Sequence, residues 1–145
     1  QQRVVIMTDS NINALDRAKD ILIKNDIRPS PVRMNVLAYM LTHKTHPGAD
    51  VVYKDLESTI PTLSKTSVYN TLKLFCQKGI VKEIDIDPTY VRFDGNVDFH
   101  GHFKCNKCNE VYDFTMEEPK EEPEGFIVSI KEVYYYGICK KCAGK

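Results

Sequence analysis

The chain has 145 residues, of which 42% are hydrophobic and 28% are charged, so it can form one domain or two small ones. No run of eighteen apolar residues occurs, which excludes a membrane-spanning helix of ordinary length and predicts no membrane partner. The first apolar patch, Val4 to Met7, is too short for a signal peptide, and Met7 is a candidate natural start.

Charge is distributed unevenly, although 20 basic and 20 acidic side chains cancel over the whole chain. Residues 1–83 hold 12 Lys and Arg against 8 Asp and Glu, a net charge of +4, and residues 84–145 hold 8 against 12, a net charge of −4. This asymmetry indicates a DNA-facing first half beside a cation-binding second half, with chance scatter of surface charge as the alternative. Five cysteines without a secretory signal predict a reducing, cytoplasmic compartment.

Helical spacing of apolar residues predicts helices over residues 9–25, 31–43 and 49–59. Ser30 suits the N-cap of the second helix, and Pro31 suits its first position. The break between the second and third helices is the THPG stretch.

The segment LSKTSVYNTLKLFCQKGIV predicts a fourth helix over residues 65–78, with Ser64 as its cap and Gly79 as its stop. IVKEIDI and TYVRFD then read as two strands joined by an Asp-Pro turn. Three helices followed by a two-stranded hairpin form a winged helix-turn-helix, whose recognition helix is the 65–78 segment.

The polar face of this helix suits the major groove of DNA, since lysines reach phosphates, Asn pairs with adenine, and Tyr and Thr contact thymine methyls. A solvated helix face is the alternative interpretation. The predicted DNA-binding residues are Lys65, Thr66, Ser67, Tyr69, Asn70 and Lys73. Cys76, at the inner side of this helix, is expected to be a small core residue.

Two cysteine pairs of CxxC spacing occur in the remaining segment, which also shows strand-like stretches at HFKC, EVYDF and FIVSIKEVYYYGIC. Two such pairs can complete a tetrahedron of thiolates around one Zn(II), and a domain of some fifty residues has too little core to fold securely without one. A redox pair is the alternative, but it would need a single CxxC at a helix start. The predicted structural zinc ligands are Cys105, Cys108, Cys139 and Cys142.

His100 and His102 are two residues apart, so on a strand they project to the same face. With Asp94, Asp98 and Asp113 within possible reach, they predict a second site of nitrogen and oxygen ligands, suited to iron, manganese or zinc. Two surface histidines beside a turn are the alternative.

The chain resembles the ferric uptake regulator (Fur) superfamily, most closely its peroxide-responsive repressor branch. The resemblance rests on THPGAD, TLSKTSVYNTLKLF, VRFDG, FHGHFKCNKC, VYDF and YYYGICKKC, which occur in the family's order over nearly the whole chain. It implies an α+β protein in which a winged-helix DNA-binding domain, residues 1–94, precedes a small α/β dimerisation and metal-binding domain, residues 95–145, with a four-cysteine zinc site.

The resemblance also implies a homodimeric repressor that binds double-stranded operator DNA and responds to a regulatory Fe(II) or Mn(II). The ligands that it implies are His46, Asp94, His100, His102 and Asp113. One ion with ligands from both domains would fix their relative orientation and so couple metal binding to DNA affinity.

Asp rather than Glu at position 113, together with Tyr69 and Asn70, resembles the peroxide-sensing type. By that analogy, hydrogen peroxide reacts at bound Fe(II) and oxidises His46 or His100, which releases the DNA and controls oxidative-stress genes. The protein then has no catalytic residues and is not an enzyme. An iron- or manganese-uptake regulator is the alternative within the family, and a non-haem iron enzyme or a partner-binding zinc scaffold lies outside it.

The chain departs from the family pattern in two places. Many members hold a further metal with residues beside the paired histidines and one late in the chain; these are Phe99, Gly101 and Lys131 here, so we expect that site to be absent. The acidic segment TMEEPKEEPEG, residues 115–125, is too short and proline-rich for the family's helix at this place. We expect an exposed loop and an altered dimer interface.

Overall fold

The computed structural model describes the backbone of residues 9–144 and the side chains of residues 13–144. The apolar patch from Val4 to Met7 and the candidate start lie outside the described residues. The chain divides into two compact units, one that extends up to Val97 and one that begins at Asp98. Nowhere in residues 9–144 is a helix both long and apolar enough to cross a bilayer.

The first unit contains four helices and a two-stranded antiparallel sheet. The helices are α1 (Asp9–Lys24), α2 (Pro31–Thr42), α3 (Ala49–Leu56) and α4 (Lys65–Gln77), and the strands are β1 (Lys82–Ile84) and β2 (Arg92–Asp94). The strands pair with Lys82 opposite Asp94 and Ile84 opposite Arg92. This arrangement confirms the predicted winged helix-turn-helix.

The core of this unit forms where the helices meet, and it contains the fully buried side chains of Leu22, Val36, Val52, Leu72 and Phe75. Helix α3 ends at Leu56, three residues earlier than predicted, and residues 57–59 form a turn in which the Thr59 amide donates to the Leu56 carbonyl at 3.0 Å.

Helix α4 begins as predicted at the Ser64 cap. The Ser64 hydroxyl accepts a hydrogen bond from the Ser67 amide at 3.0 Å, and the Ser64 amide donates to the Ser67 hydroxyl at 3.3 Å. This reciprocal capping box satisfies two backbone donors of the first turn. Gly79, with φ 73°, adopts the left-handed conformation that ends the helix.

The second unit contains a three-stranded sheet and one short helix. The elements are β3 (Gly101–Cys105), β4 (Val111–Phe114), β5 (Tyr134–Gly137) and α5 (Lys140–Ala143). Strand β3 is central, antiparallel to β4 and parallel to β5. Together the two units confirm the predicted α+β class.

Residues 115–133 form neither helix nor strand. The predicted exposed acidic loop is therefore confirmed, but the strand predicted to begin at Phe126 is wrong, because the ladder begins only at Tyr134. Phe126 and Ile127 expose 70% and 96% of their surfaces, which explains the error: the apolar pattern of a strand is present, but β5 pairs with β3 only over Tyr134–Gly137.

The second unit has almost no hydrophobic core within the chain. Among its described residues, the buried hydrophobic side chains are those of Cys105, Val111 and Cys139, two of which are cysteines. Burial of so little apolar surface cannot offset the conformational entropy of ordering this unit.

Candidate metal centres and nucleic-acid interface

The structure brings the four predicted zinc ligands together within the second unit. Cys105 ends β3, Cys108 lies in the turn that follows, Cys139 caps α5, and Cys142 lies within α5. Their sulfur atoms all lie within 4.8 Å of one another. Four sulfurs at about 2.3 Å from a tetrahedral Zn(II) would be about 3.8 Å apart, and the Sγ atoms of Cys108 and Cys139 are 3.8 Å apart. The donor set therefore fits zinc.

Backbone amides are aimed at these sulfurs, as expected for sites that hold thiolates. The amides of Cys108 and Cys139 each donate to the Cys105 sulfur at 3.4 Å, and together they lower the pKa of the Cys105 thiol to about 6. The Cys142 amide donates to the Cys139 sulfur at 3.4 Å. The thiolate form that zinc requires is thus favoured at Cys105 before any metal binds, whereas a hydrogen bond with the Cys139 sulfur and burial raise the pKa of the Cys142 thiol to about 12.

Tyr112 is a further contributor that sequence reasoning missed. Its hydroxyl donates to the Cys139 sulfur at 3.5 Å, and this hydrogen bond lowers the pKa of Cys139. Tyr112 follows the buried Val111 on β4, so the alternation of side chains along the strand places the two on opposite faces of the sheet. This alternation, close to a CxxC pair, was the signal in the sequence for a role of Tyr112.

The second unit also brings together His100, His102 and Asp113. The Nε2 atoms of His100 and His102 lie 3.3 Å and 3.5 Å from Asp113 Oδ1. Strand register explains this grouping, since His102 on β3 is directly opposite Asp113 on β4. His100 and His102 are buried, so the alternative of two surface histidines is wrong.

The tautomer of His100 is fixed by the backbone. Its Nδ1 lies 2.7 Å from the Asp98 carbonyl, which can only accept, so Nδ1 carries the proton. The lone pair of Nε2 is therefore directed away from this hydrogen bond and suits a metal, in the arrangement usual for ligand histidines. Asp98 thus contributes its backbone carbonyl to the orientation of His100, whereas sequence reasoning had considered its carboxylate as a metal ligand.

Gly101, between the paired histidines, lies directly against the Phe114 ring. A Cβ at this position would overlap the Phe114 ring. The aromatic ring thus fills the space beside the histidine pair.

The first unit holds the other two predicted regulatory ligands next to each other. His46 Nε2 lies 3.6 Å from Asp94 Oδ2, and the two side chains are 3% and 5% exposed. An imidazole and a carboxylate buried together form a nitrogen and oxygen donor pair suited to a divalent cation. His43 does not join this pair, because its ring stacks on the Tyr39 ring with 3.9 Å between the centroids.

The predicted DNA-reading face of α4 is exposed at four of its six residues. Ser67 and Lys73, the other two, have additional partners within the protein. The Ser67 hydroxyl donates to the Ser64 carbonyl at 2.9 Å, and the Lys73 ammonium lies 3.1 Å from Glu83 on β1. A DNA phosphate would therefore compete with Glu83 for Lys73. The Lys65 ammonium lies over the Tyr53 ring, 5.8 Å from its centroid, in a cation–π contact. Cys76 packs against the helical core as expected.

Comparison with known proteins gives one family. The model of the Ferric uptake regulator family matches residues 24–136. The peroxide operon regulator of Bacillus subtilis (strain 168) is 34% identical over 137 residues, which is 90% of this chain and 94% of that protein. The peroxide-responsive repressor PerR of Staphylococcus aureus (strain Mu50) is 34% identical over 125 residues, covering 82% and 84% of the two chains.

A solved structure of similar fold is the ferric uptake regulator from Pseudomonas aeruginosa with manganese. It has a TM-score of 0.70 and 22% identity, and the similarity covers 85% of this chain and 98% of that one.

We predict that Cys105→Ser removes zinc and unfolds the second unit. The three remaining thiolates cannot complete the tetrahedron around zinc, and the small hydrophobic core of the unit cannot stabilise the fold without the metal. Zinc content measured by elemental analysis should fall to near zero, and the circular dichroism of the sheet should be lost while the helical signal persists. Cys76→Ser is the matched control, since the fifth cysteine lies outside the cluster. Full zinc content in the Cys105 variant would contradict the assignment.

Proposed function

Because the chain belongs to the ferric uptake regulator family, we propose that it is a metal-dependent, peroxide-responsive transcriptional repressor. The observation that carries this proposal is the occurrence of two kinds of donor: four clustered thiols, and imidazoles beside carboxylates within each unit by itself. The relatives named as peroxide regulators support the peroxide response.

We assign Zn(II) to the four cysteines as a permanent structural ion. Fe(II) or Mn(II) is the exchangeable, regulatory ion, and its proposed ligands are His46, Asp94, His100, His102 and Asp113. Soft thiolates retain zinc, whereas imidazole and carboxylate ligands suit the harder divalent ions. The support is the chemistry of each unit by itself: a buried His–Asp pair in the first, and two histidines around one aspartate in the second.

The chain is proposed to act in the cytoplasm as a homodimer that binds double-stranded operator DNA through α4. Support for dimerisation comes from the second unit, where Phe126, Ile127 and Ile130 expose most of their surfaces and the hydrophobic core is small. A partner subunit of the same chain would cover such side chains. The proposed role is that of a regulator and not of an enzyme, and the support is that the relatives are named as regulators.

Bound Fe(II) would supply the redox chemistry through which hydrogen peroxide oxidises an adjacent imidazole. In that oxidation one peroxide oxygen ends on the ring carbon of His46 or His100 and the other leaves as water, while the ring loses two electrons. The His100 Nδ1–H already donates a hydrogen bond to the Asp98 carbonyl, so Nε2 is the ring nitrogen that would bind the metal and lose that ability on oxidation. An oxidised imidazole ring is a poor metal ligand, so oxidation weakens metal binding and, by linkage, DNA binding.

Peroxide treatment of the Fe(II) form should add one oxygen atom to specific tryptic peptides. Cleavage after Lys44 and Arg92 separates the peptides 45–54 and 93–104, which carry His46 and His100 respectively. Fragment ions in mass spectrometry should place the oxygen on these histidines, but not on His43. The Mn(II) form is the control, and its histidines should stay unmodified. Unmodified histidines in the Fe(II) form would favour the uptake-regulator alternative.

His102→Ala should abolish Mn(II)-dependent DNA binding and leave zinc content unchanged, because zinc uses other ligands. His102 is completely buried, so the larger substitution His102→Gln serves as a second variant that leaves a smaller cavity. Affinity would be measured on a duplex selected from a random pool by the Mn(II)-loaded protein. His43→Ala is the control. Loss of zinc from both His102 variants would show that the ligands are divided wrongly.

Lys65→Ala should weaken DNA binding and reduce the slope of log K against log salt by roughly one unit, because one phosphate contact is lost. The matched control is Lys24→Ala, an exposed lysine at the end of α1. Binding titrations at several salt concentrations measure both slopes. An unchanged slope for Lys65→Ala would count against α4 as the DNA-reading helix.

A further inference from the structure

Three consecutive residues of β2 hold the loop that carries His46. Arg92 Nη1 donates to the His46 carbonyl at 3.2 Å, and the Phe93 amide donates to the Pro47 carbonyl at 2.9 Å. Asp94 Oδ2 lies 3.6 Å from His46 Nε2. The β1–β2 hairpin is the wing of the winged helix-turn-helix. Its second strand, β2, therefore contacts the loop with the proposed regulatory ligand through each of its three residues.

The main chain of His46 is in a conformation that needs support. Its φ of 54° lies in the left-handed region, where the Cβ of an ordinary residue is crowded by the backbone. Such conformations persist only where surrounding contacts hold them, and they concentrate at functional sites. The carbonyl that accepts from Arg92 belongs to this same residue.

Arg92 is itself oriented by its neighbours. Its guanidinium lies over the Tyr90 ring at 5.2 Å from the centroid, and the Tyr90 hydroxyl donates to Asp50 on α3. A Cβ at Gly48 would overlap that hydroxyl, so the glycine permits Tyr90 to pack against the loop. The arginine is thus fixed between an aromatic face and the His46 carbonyl.

We propose that Arg92 is a positioning residue, which holds the His46 main chain in its left-handed conformation and so places the imidazole beside Asp94 for a divalent cation. The inference rests on the proposed function in one respect, that His46 is a metal ligand. Because Arg92 lies on the wing, any displacement of β2 displaces the His46 loop with it. Metal affinity and wing position are then coupled within the first unit.

Lysine cannot replace this arginine. A planar guanidinium can stack on Tyr90 and donate in its plane to the carbonyl at the same time, whereas an ammonium is a compact, strongly hydrated charge. Arg92→Lys should therefore disturb His46 while it keeps the charge and most of the side-chain volume.

The test uses the zinc-loaded full chain with the variants Arg92→Lys and Arg92→Ala. Arg33→Ala is the matched control, because Arg33 Nη1 also donates to a backbone carbonyl, that of Arg28 at 2.9 Å, in the same unit. The ¹³Cα chemical shift of His46, measured without regulatory metal, reports its backbone conformation. Calorimetric titration with Mn(II) reports affinity, and thermal unfolding reports stability.

Both Arg92 variants should move the His46 shift, and the affinity for Mn(II) should fall roughly tenfold or more, as is typical when a residue behind a metal ligand is removed. Arg33→Ala should change neither. An unchanged His46 chemical shift in the Arg92 variants overturns the proposal. The proposal is also overturned if the shift changes but the Arg92 variants keep the wild-type affinity for Mn(II), while His46→Ala loses it. If Arg92→Ala fails to fold, Arg92→Lys decides.

The proposed function fails separately. If His46→Ala binds Mn(II) with the affinity of the wild type, His46 is not a ligand, whatever Arg92 does to its backbone. A moved His46 shift in that case still supports the control of the His46 conformation by Arg92 and removes only the ligand assignment.

Discussion

Sulfur ligation takes the place of a hydrophobic core in the second unit. Two of the three buried hydrophobic side chains among its described residues are themselves cysteines, and backbone amides from the turn after β3 and from the start of α5 converge on their sulfur atoms. Each CxxC pair thereby joins elements that share little apolar surface. The positions of His102 and its partner Asp113 depend on this, because β3 carries both His102 and the first zinc ligand.

Under the proposed function, the difference between sulfur and nitrogen or oxygen donors would let one small chain bind two cations in different ways. A set of four thiolates binds zinc tightly and resists exchange, while a mixed set follows the supply of iron or manganese. On the proposed assignment of ligands, loss of the regulatory ion or oxidation of its ligands leaves the four cysteines bound to zinc. The expected response is therefore a change of DNA affinity and not an unfolding of the second unit.

Local patterns predicted most of the fold and one of the two donor sets. The Ser64 cap, the left-handed Gly79 and the CxxC spacings each act through neighbouring residues, and the structure follows them. The segment 126–133 shows where such reasoning ends, because its apolar pattern indicates a strand but pairing depends on residues distant in sequence. The roles of Arg92 and Tyr112 likewise arise from strand pairing and packing, since an arginine of the wing contacts a carbonyl 46 residues earlier. Donor chemistry is local, but support for the donors is a product of the whole fold.

The glycine between the paired histidines has a structural consequence. The Phe114 ring occupies the space that any side chain at position 101 would need. A side chain recruited here as an extra ligand would therefore have to displace that ring, which lies against the Tyr135 ring on β5 with 4.8 Å between the centroids. An extra ligand at position 101 would thus disturb the aromatic packing between β4 and β5, the two strands beside β3.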